Sequence, residues 1–315
     1  MHASHTAPAT MGRRLFVGAA LGLGTAILAS CAVDPNSPSS PTGAPSPSAT
    51  PSATPAAATS STPTPTVTPA SGSTAAAVMS RQEAVATFAG RPAGAFGLEV
   101  KGIALGLPEQ AKGAALTLDA CGGPHGEGFD AVLIKALRKH QVPATLFINQ
   151  RWAKVNTALV EDLAADPLFE IANHGTSHAP LASRGQAAYK IPGTASIAAA
   201  YDEVMGNQHY LAERFGIEAR FFRSGTAHMD ELSAKMVREL GLIPMNFTVN
   251  LDAGATFPAA TVTAQAAGMG RGDVGIGHFN RPNSGTGKGV AAALPRLLEA
   301  LDSKGLALIK LSDAF

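Results

Sequence analysis

Three short segments carry residue types suited to hydrolysis at a metal: Thr117-Leu118-Asp119-Ala120-Cys121, Asn173-His174-Gly175-Thr176-Ser177-His178 and Gly277-His278-Phe279. His174 and His178 stand four apart, a spacing that can turn two imidazoles toward one ion, and Asn173 and Gly175 suit a turn better than a helix interior. An acid, a histidine pair and a lone histidine, each directly after an apolar run, could meet at one end of a sheet. Simpler readings stand beside this one: two solvated histidines, an Asp119 that caps a turn, and a satisfied strand-end histidine at 278.

The elements that must position these residues can be read from the apolar pattern. Runs at 114–118, 144–148, 169–172, 220–222, 242–247, 274–277 and 306–311 have strand length and turn-like boundaries. Between them lie helical stretches. In 130–140 a capping acid precedes Leu133, Ile134 and Leu137 on one face, and Val290, Leu294, Leu297, Leu298 and Leu301 repeat the pattern around Pro295, which marks a start or a kink. Segments 195–215 and 230–240 supply two more helices. Strands alternating with helices predict a parallel α/β sheet, and seven strands predict a barrel or a strongly curved sheet. Asp119, His174, Arg223 and His278 each fall just past the C-terminal end of a predicted strand, where such folds gather their active-site loops.

The ordered set of segments resembles the polysaccharide deacetylases, carbohydrate esterases with a NodB-homology domain. Asn173 to His178 resembles the family's metal-binding histidine motif, Leu116-Thr117-Leu118-Asp119 its first motif, Phe222-Arg223 its third and Gly272 to His278 its fifth. Leu294 to Leu301, Lys304-Gly305 and Leu311-Ser312 resemble its closing helix and strand. The likeness spans roughly 111–315 and implies a distorted (β/α)7 barrel. It also implies removal of N- or O-acetyl groups from a poly- or oligosaccharide, with a divalent ion, zinc by expectation, on His174 and His178. Asp119 would then be the general base, His278 the general acid, Arg223 the orienter of Asp119 and Asp252 the acid partner of His278. On the residues alone, Arg223 could be a surface cation, and Asp252 could equally be a turn-former with Gly254.

Three departures from the family pattern are visible. Ala120 stands where an aspartate would complete the metal triad; Ser224-Gly225-Thr226 replaces a proline-rich turn with an aromatic; and no tryptophan follows Asp252. The apolar wall for an acetyl methyl would then fall to Ile276 or Phe279. His125, on a glycine-rich loop, could swing in but reads more simply as solvated, and Cys121 reads as packing more readily than as a soft ligand. Ala120 also motivates a different function class, a carbohydrate-binding lipoprotein with little or no catalysis.

The rest of the chain concerns location. Arg13-Arg14, an apolar stretch from Leu15 to Leu28 and Leu28-Ala29-Ser30-Cys31 resemble a twin-arginine-like signal ending in a lipobox, with Met11 as the initiator and Cys31 lipidated. An ordinary signal peptide or a single anchor helix is the alternative. Residues 32–78, rich in Pro, Ser, Thr and Ala, have too little apolar surface to fold and read as a tether on the order of 100 Å in reach at about 3.1 Å per residue. The expected organisation is signal 1–31, linker 32–78 and catalytic domain 79–315, anchored outside the cytoplasm in the periplasm or at the cell surface. With 24 basic and 23 acidic residues, the chain shows no electrostatic footprint for nucleic acid. Two cysteines imply no disulfide framework.

Overall fold

The structure is a computed structural model that describes residues 78–315. The expected signal segment and the expected linker, apart from Val78, lie outside the described residues.

A helix, α1 (Arg81–Phe88), opens with a Ser80–Glu83 capping box and leads to β1 (Phe96–Gly97), which pairs antiparallel with β6 (Met229–Asp230). The main sheet is built from β2 (Gly113–Ala120), β3 (Ala144–Ile148), β4 (Phe169–Asn173), β5 (Phe221–Phe222), β7 (Ile243–Pro244), β8 (Val249–Asn250), β9 (Val274–His278) and β10 (Ala307–Leu308). Its order is β7-β5-β4-β3-β2-β9-β8, with β10 also on β2, and every pairing is parallel. The parallel sheet curls into a half-barrel, the strongly curved sheet that the strand–helix alternation predicts and the distorted barrel that the resemblance implies. Several strands are shorter than their apolar runs. Only two residues of 242–247 and two of 306–311 join the ladder.

The helices between are α2 (Ala131–Lys139), α3 (Gln150–Val155), α4 (Thr157–Ala165), α5 (Ile197–Phe215), α6 (Glu231–Glu239), α7 (Ala259–Ala267) and α8 (Thr286–Asp302). Asp130 caps α2 by accepting the Leu133 N–H, as its position before the apolar stripe predicts. Pro295 neither starts nor ends α8, which runs through it. The lost backbone donor is tolerated because Ala293, Leu294 and Leu297 are buried in the main core.

All eight residues of β2 are buried, as expected for a central parallel strand covered on both faces. Alternation sorts them. Ala114, Leu116, Leu118 and Ala120 join the helix-side core with Leu133, Leu137, Leu294 and Leu297, whereas Ala115 packs on the other face with Phe147 and Phe221. Thr117 and Asp119 share the parity of Ala115, so the one acid of this strand lies on the concave side. Among the described residues, no helix is long and apolar enough to cross a membrane.

Asp230 ties the small sheet to α6. It caps that helix by accepting the Ser233 N–H at 2.7 Å, and it accepts the Ser183 N–H and hydroxyl, all three residues being buried. Asp230→Ala removes the cap and strands two buried N–H groups, so it is expected to cost about 2–4 kcal/mol. Urea unfolding measures this as a lowered midpoint at unchanged slope; an unmoved midpoint would show that water replaces the carboxylate.

Candidate active site

Arg223, directly after β5, is completely buried beneath the strand ends. Its guanidinium donates to Asp119 Oδ1 at 2.7 Å, to Thr117 Oγ1 at 3.0 Å and to the carbonyls of Met245 and Asn246, and it stacks on the Phe147 ring at 4.1 Å. Thr117 in turn donates to the Gly275 carbonyl. Burial lowers the guanidinium pKa, against the opposing pull of Asp119. The surface-cation reading of Arg223 is therefore wrong: it is a buried, four-fold satisfied partner of the acid on β2.

The backbone carbonyl of Arg223 accepts a hydrogen bond from His174 Nδ1 at 2.9 Å. A carbonyl can only accept, so Nδ1 carries a proton, and Nε2 faces Asp119 Oδ2 at 3.6 Å and Cys121 Sγ at 3.7 Å. His178 stands beside it, with ring centroids 4.9 Å apart and planes near perpendicular.

The loop that carries both histidines is held from α5. Glu203, buried on that helix, accepts the N–H groups of Ser177 and Ala179 and the Ser177 hydroxyl, while its carbonyl accepts the Thr176 N–H. Gly175 is required here: its φ is +81°, and a Cβ would come 2.5 Å from Glu203 Oε1. Asn173 adds a second clasp, accepting from the Gly175 N–H and the Asn207 side chain and donating to the Val204 carbonyl.

On the opposite wall, register pairs Asp119 of β2 with His278 of β9. His278 Nδ1 lies 3.0 Å from Asp252 Oδ1, and Asp252 Oδ2 accepts the His278 N–H and the Thr286 hydroxyl, both at 2.7 Å. Asp252 also accepts the Gly254 N–H, so the turn and the histidine-partner readings are both realised in one carboxylate. Burial raises Asp252, but His278 and Thr286 outweigh it and hold it below the usual carboxylate range. Burial would lower His278; Cys121 and Asp252 reverse this and hold it well above the ordinary imidazole value.

Cys121 corrects the sequence reading of a packing residue. It is half-buried, and its Sγ lies within 4.8 Å of ligand atoms of both His174 and His178, a cluster of metal-ligating type. Burial raises the thiol, but His178, His278 and His174 together hold it well below the usual thiol range. His174 is lowered by burial and raised on balance by Asp119, Cys121 and the Arg223 carbonyl. His125, by contrast, is exposed and does not line the site.

Asp119, Cys121, His174, His178 and His278 line a cavity of about 550 Å³ bounded by Leu98, Thr226, Phe247 and Ile276. Of the two residues expected as an apolar wall, Ile276 lines it and Phe279 does not: Phe279 is buried edge-on against Trp152. The segment after Arg223 forms a tight turn in which Thr226 and Ala227 both adopt left-handed backbone, with φ of 61° and 58°, strain of the kind that clusters at binding sites. Tyr189 stands at the rim. It is 74% exposed, sits in a two-residue turn with Lys190 closed by reciprocal Ala188–Ile191 hydrogen bonds, and meets the His228 ring edge-on at 5.3 Å.

Residues 107–244 match the family model described as polysaccharide deacetylase. They form a polysaccharide deacetylase domain. That domain belongs to a class of hydrolases, and its matched range holds Asp119, His174, His178 and Arg223, while Asp252 and His278 join them through the fold. Among solved structures, the fold resembles that of the Bc1960 peptidoglycan N-acetylglucosamine deacetylase (22% identity, TM-score 0.55, 68% of this chain and 92% of that one). It also resembles BA3943, a CE4 family pseudoenzyme from Bacillus anthracis (18%, 0.54, 67% and 67%), and PdaA of Bacillus subtilis, a family 4 carbohydrate esterase (19%, 0.50, 67% and 84%). At these identities the likeness is one of fold. No curated protein sequence matches the chain.

Sequence reasoning missed Glu203, Thr117 and Thr286 in this deacetylase domain, because each acts through a contact between elements far apart in the chain. Glu203 sits mid-helix with no local signal. Glu203→Ala is expected to free the Ser177 and Ala179 amides, read as faster hydrogen exchange at those two positions. Unchanged exchange would show that the loop holds its shape without the carboxylate.

Proposed function

We propose that this protein is a metal-dependent hydrolase that removes acetyl groups from a carbohydrate. The observation that carries the reading is that Asp119, His174, His178 and His278 line one cavity at the C-terminal strand ends of a polysaccharide deacetylase domain, with Arg223 bonded behind Asp119 and Asp252 behind His278. His174 and His178 are the residues to hold a divalent ion, zinc by preference for imidazole, and the donor set fits: the Arg223 carbonyl engages His174 Nδ1 and so leaves Nε2 as the nitrogen turned toward the cavity. Such an ion supplies polarisation of the acetyl carbonyl and acidification of a water.

The side chains around it divide the remaining work. Asp119 is fixed by Arg223 through Oδ1 and keeps Oδ2 toward the His174 side, placed to take a proton from water. His278, oriented by Asp252 through Nδ1, keeps Nε2 for the cavity, where it can hand a proton to the departing amine or hydroxyl. Ile276 and Phe247 offer apolar surface for the acetyl methyl, and Tyr189 offers an exposed ring at the rim on which a sugar face can stack. The same fold in a protein named a peptidoglycan deacetylase, together with an anchor and tether, supports a polymeric cell-envelope glycan as substrate. Lipidation at Cys31, twin-arginine-like export and an extracytoplasmic location belong to the proposal and rest on the sequence motifs alone.

A second reading, glycan binding without turnover, is favoured by Ala120 and by the fold's likeness to a pseudoenzyme. Acetate release from acetylated chito- or xylo-oligosaccharides, with and without chelator, separates the two. The hydrolase reading expects release that the chelator stops; binding of every glycan tested with no release would establish the other. Asp119→Asn should lower turnover by at least about 100-fold while keeping the metal, and His174→Ala should lose both. Loss of metal in Asp119→Asn would make Asp119 a ligand.

Tyr189→Ala is expected to raise KM several-fold for oligosaccharides and to leave kcat and the turnover of a small acetyl ester unchanged. An equal loss on the small ester would place Tyr189 in the structure of the site and not in sugar binding.

A further inference from the structure

We infer that Cys121 supplies the third protein ligand of the metal site, taking the place of the carboxylate that is absent at Ala120. The inference rests on the metal of the reading above and not on its reaction. Strand alternation is the first observation that carries it. On β2, Leu116, Leu118 and Ala120 belong to the helix-side core, while Ala115, Thr117 and Asp119 face the concave side, and Cys121 continues that second parity one residue beyond the strand.

The second observation is how the cysteine is held. Arg151 donates to the Cys121 carbonyl at 3.2 Å, and the chain then turns sharply through Gly122, at φ +66°, where a Cβ would lie 2.5 Å from the Trp152 nitrogen. The thiol is thereby directed into the cavity beside the histidines, and Cys121 lines that cavity.

The third is distance. In a tetrahedral site with about 2.3 Å to sulfur and about 2.05 Å to nitrogen, the S···N edge is roughly 3.6 Å. Cys121 Sγ and His174 Nε2 are 3.7 Å apart, and all three ligand atoms of Cys121, His174 and His178 lie within 4.8 Å of one another, a gap that side-chain torsions close. Asp119 also approaches His174 Nε2, at 3.6 Å, but its other oxygen is committed to Arg223 and it lies outside the mutually close set.

A thiolate with two neutral imidazoles carries the same formal charge as a carboxylate with two imidazoles, so the demand for one anionic ligand is met. The softer donor changes the choice of ion. Sulfur selects zinc or cobalt over magnesium, calcium or manganese, and three protein ligands leave a fourth position open toward the cavity.

The test is cobalt and zinc titration of the metal-free full chain. Wild type is expected to bind one cobalt with a near-ultraviolet thiolate-to-cobalt charge-transfer band. Cys121→Ser should lose that band and lose zinc affinity by more than the roughly 10–100-fold that an outer partner costs. Cys121→Asp should lose the band yet keep zinc within that range, which controls for folding. Cys31 is present in all three proteins, so a band of its own making would persist in Cys121→Ser and overturn the assignment. Visible cobalt bands in wild type without charge transfer, or equal zinc affinity in wild type and Cys121→Ser, would also overturn it. So would an acetyl thioester on Cys121 formed from an activated acetyl ester, which would make the thiol a nucleophile. Failure to bind either metal would overturn both this inference and the metal half of the functional reading, whereas acetate release, measured on the same preparations, reports the reaction separately.

Discussion

Arg223 and Asp119 form a buried ion pair, and the arrangement of the site follows from satisfying it. A buried guanidinium is tolerable only when its donors are matched; left without its acid it would cost about 3–5 kcal/mol. Here four donors find acceptors on Asp119 and Thr117 of β2 and on the carbonyls of Met245 and Asn246 that follow β7, with Phe147 of β3 beneath the plane. Those elements must therefore end at one level. The same residue's carbonyl sets the proton of His174, so one arginine orients both the acid and the first imidazole.

That arrangement explains why parity matters on β2. A central strand buried on both faces has no polar side, so the placement of an acid is decided by which face holds its partner. Thr117 and Asp119 point where Arg223 waits, and Thr117 also closes toward β9 through the Gly275 carbonyl. Their neighbours Leu118 and Ala120 fill the layer against α2 and α8. His278 then arrives opposite Asp119 by register alone, and Asp252 meets it from the end of β8, braced by Thr286 at the start of α8.

The parts that were legible in the sequence share a physical basis. The runs that became β2, β3, β4 and β9 are long, buried and bounded by turn residues, and the histidine pair sits on a loop whose glycine has no substitute. Legibility failed where the signal is tertiary. β8 was missed because two residues make its ladder, and α3 was missed because it begins one residue after β3, capped by Asn149. α7, rich in alanine with two threonines and a valine, has a helical face only in contact with α8. The run 242–247 overreached because beyond Pro244 it leaves the ladder: Met245 makes only an isolated bridge to Ala104, and Met245 and Phe247 pack in the concave-side cluster. Arg223 could be read as a surface cation because a lone arginine after a short strand says nothing of its burial.

Cys121 is the sharpest instance of that limit. A single cysteine after a strand carries the same sequence signal whether it packs or binds, and a missing carboxylate at the preceding position reads as a loss. In space the two observations belong together. Alternation carries position 121 to the concave side one residue past the strand, and Gly122 and Gly123, both at positive φ, turn the chain there. An alanine that packs against Leu118's layer and a thiol aimed at two imidazoles then describe one relocation of an anionic donor by a single residue.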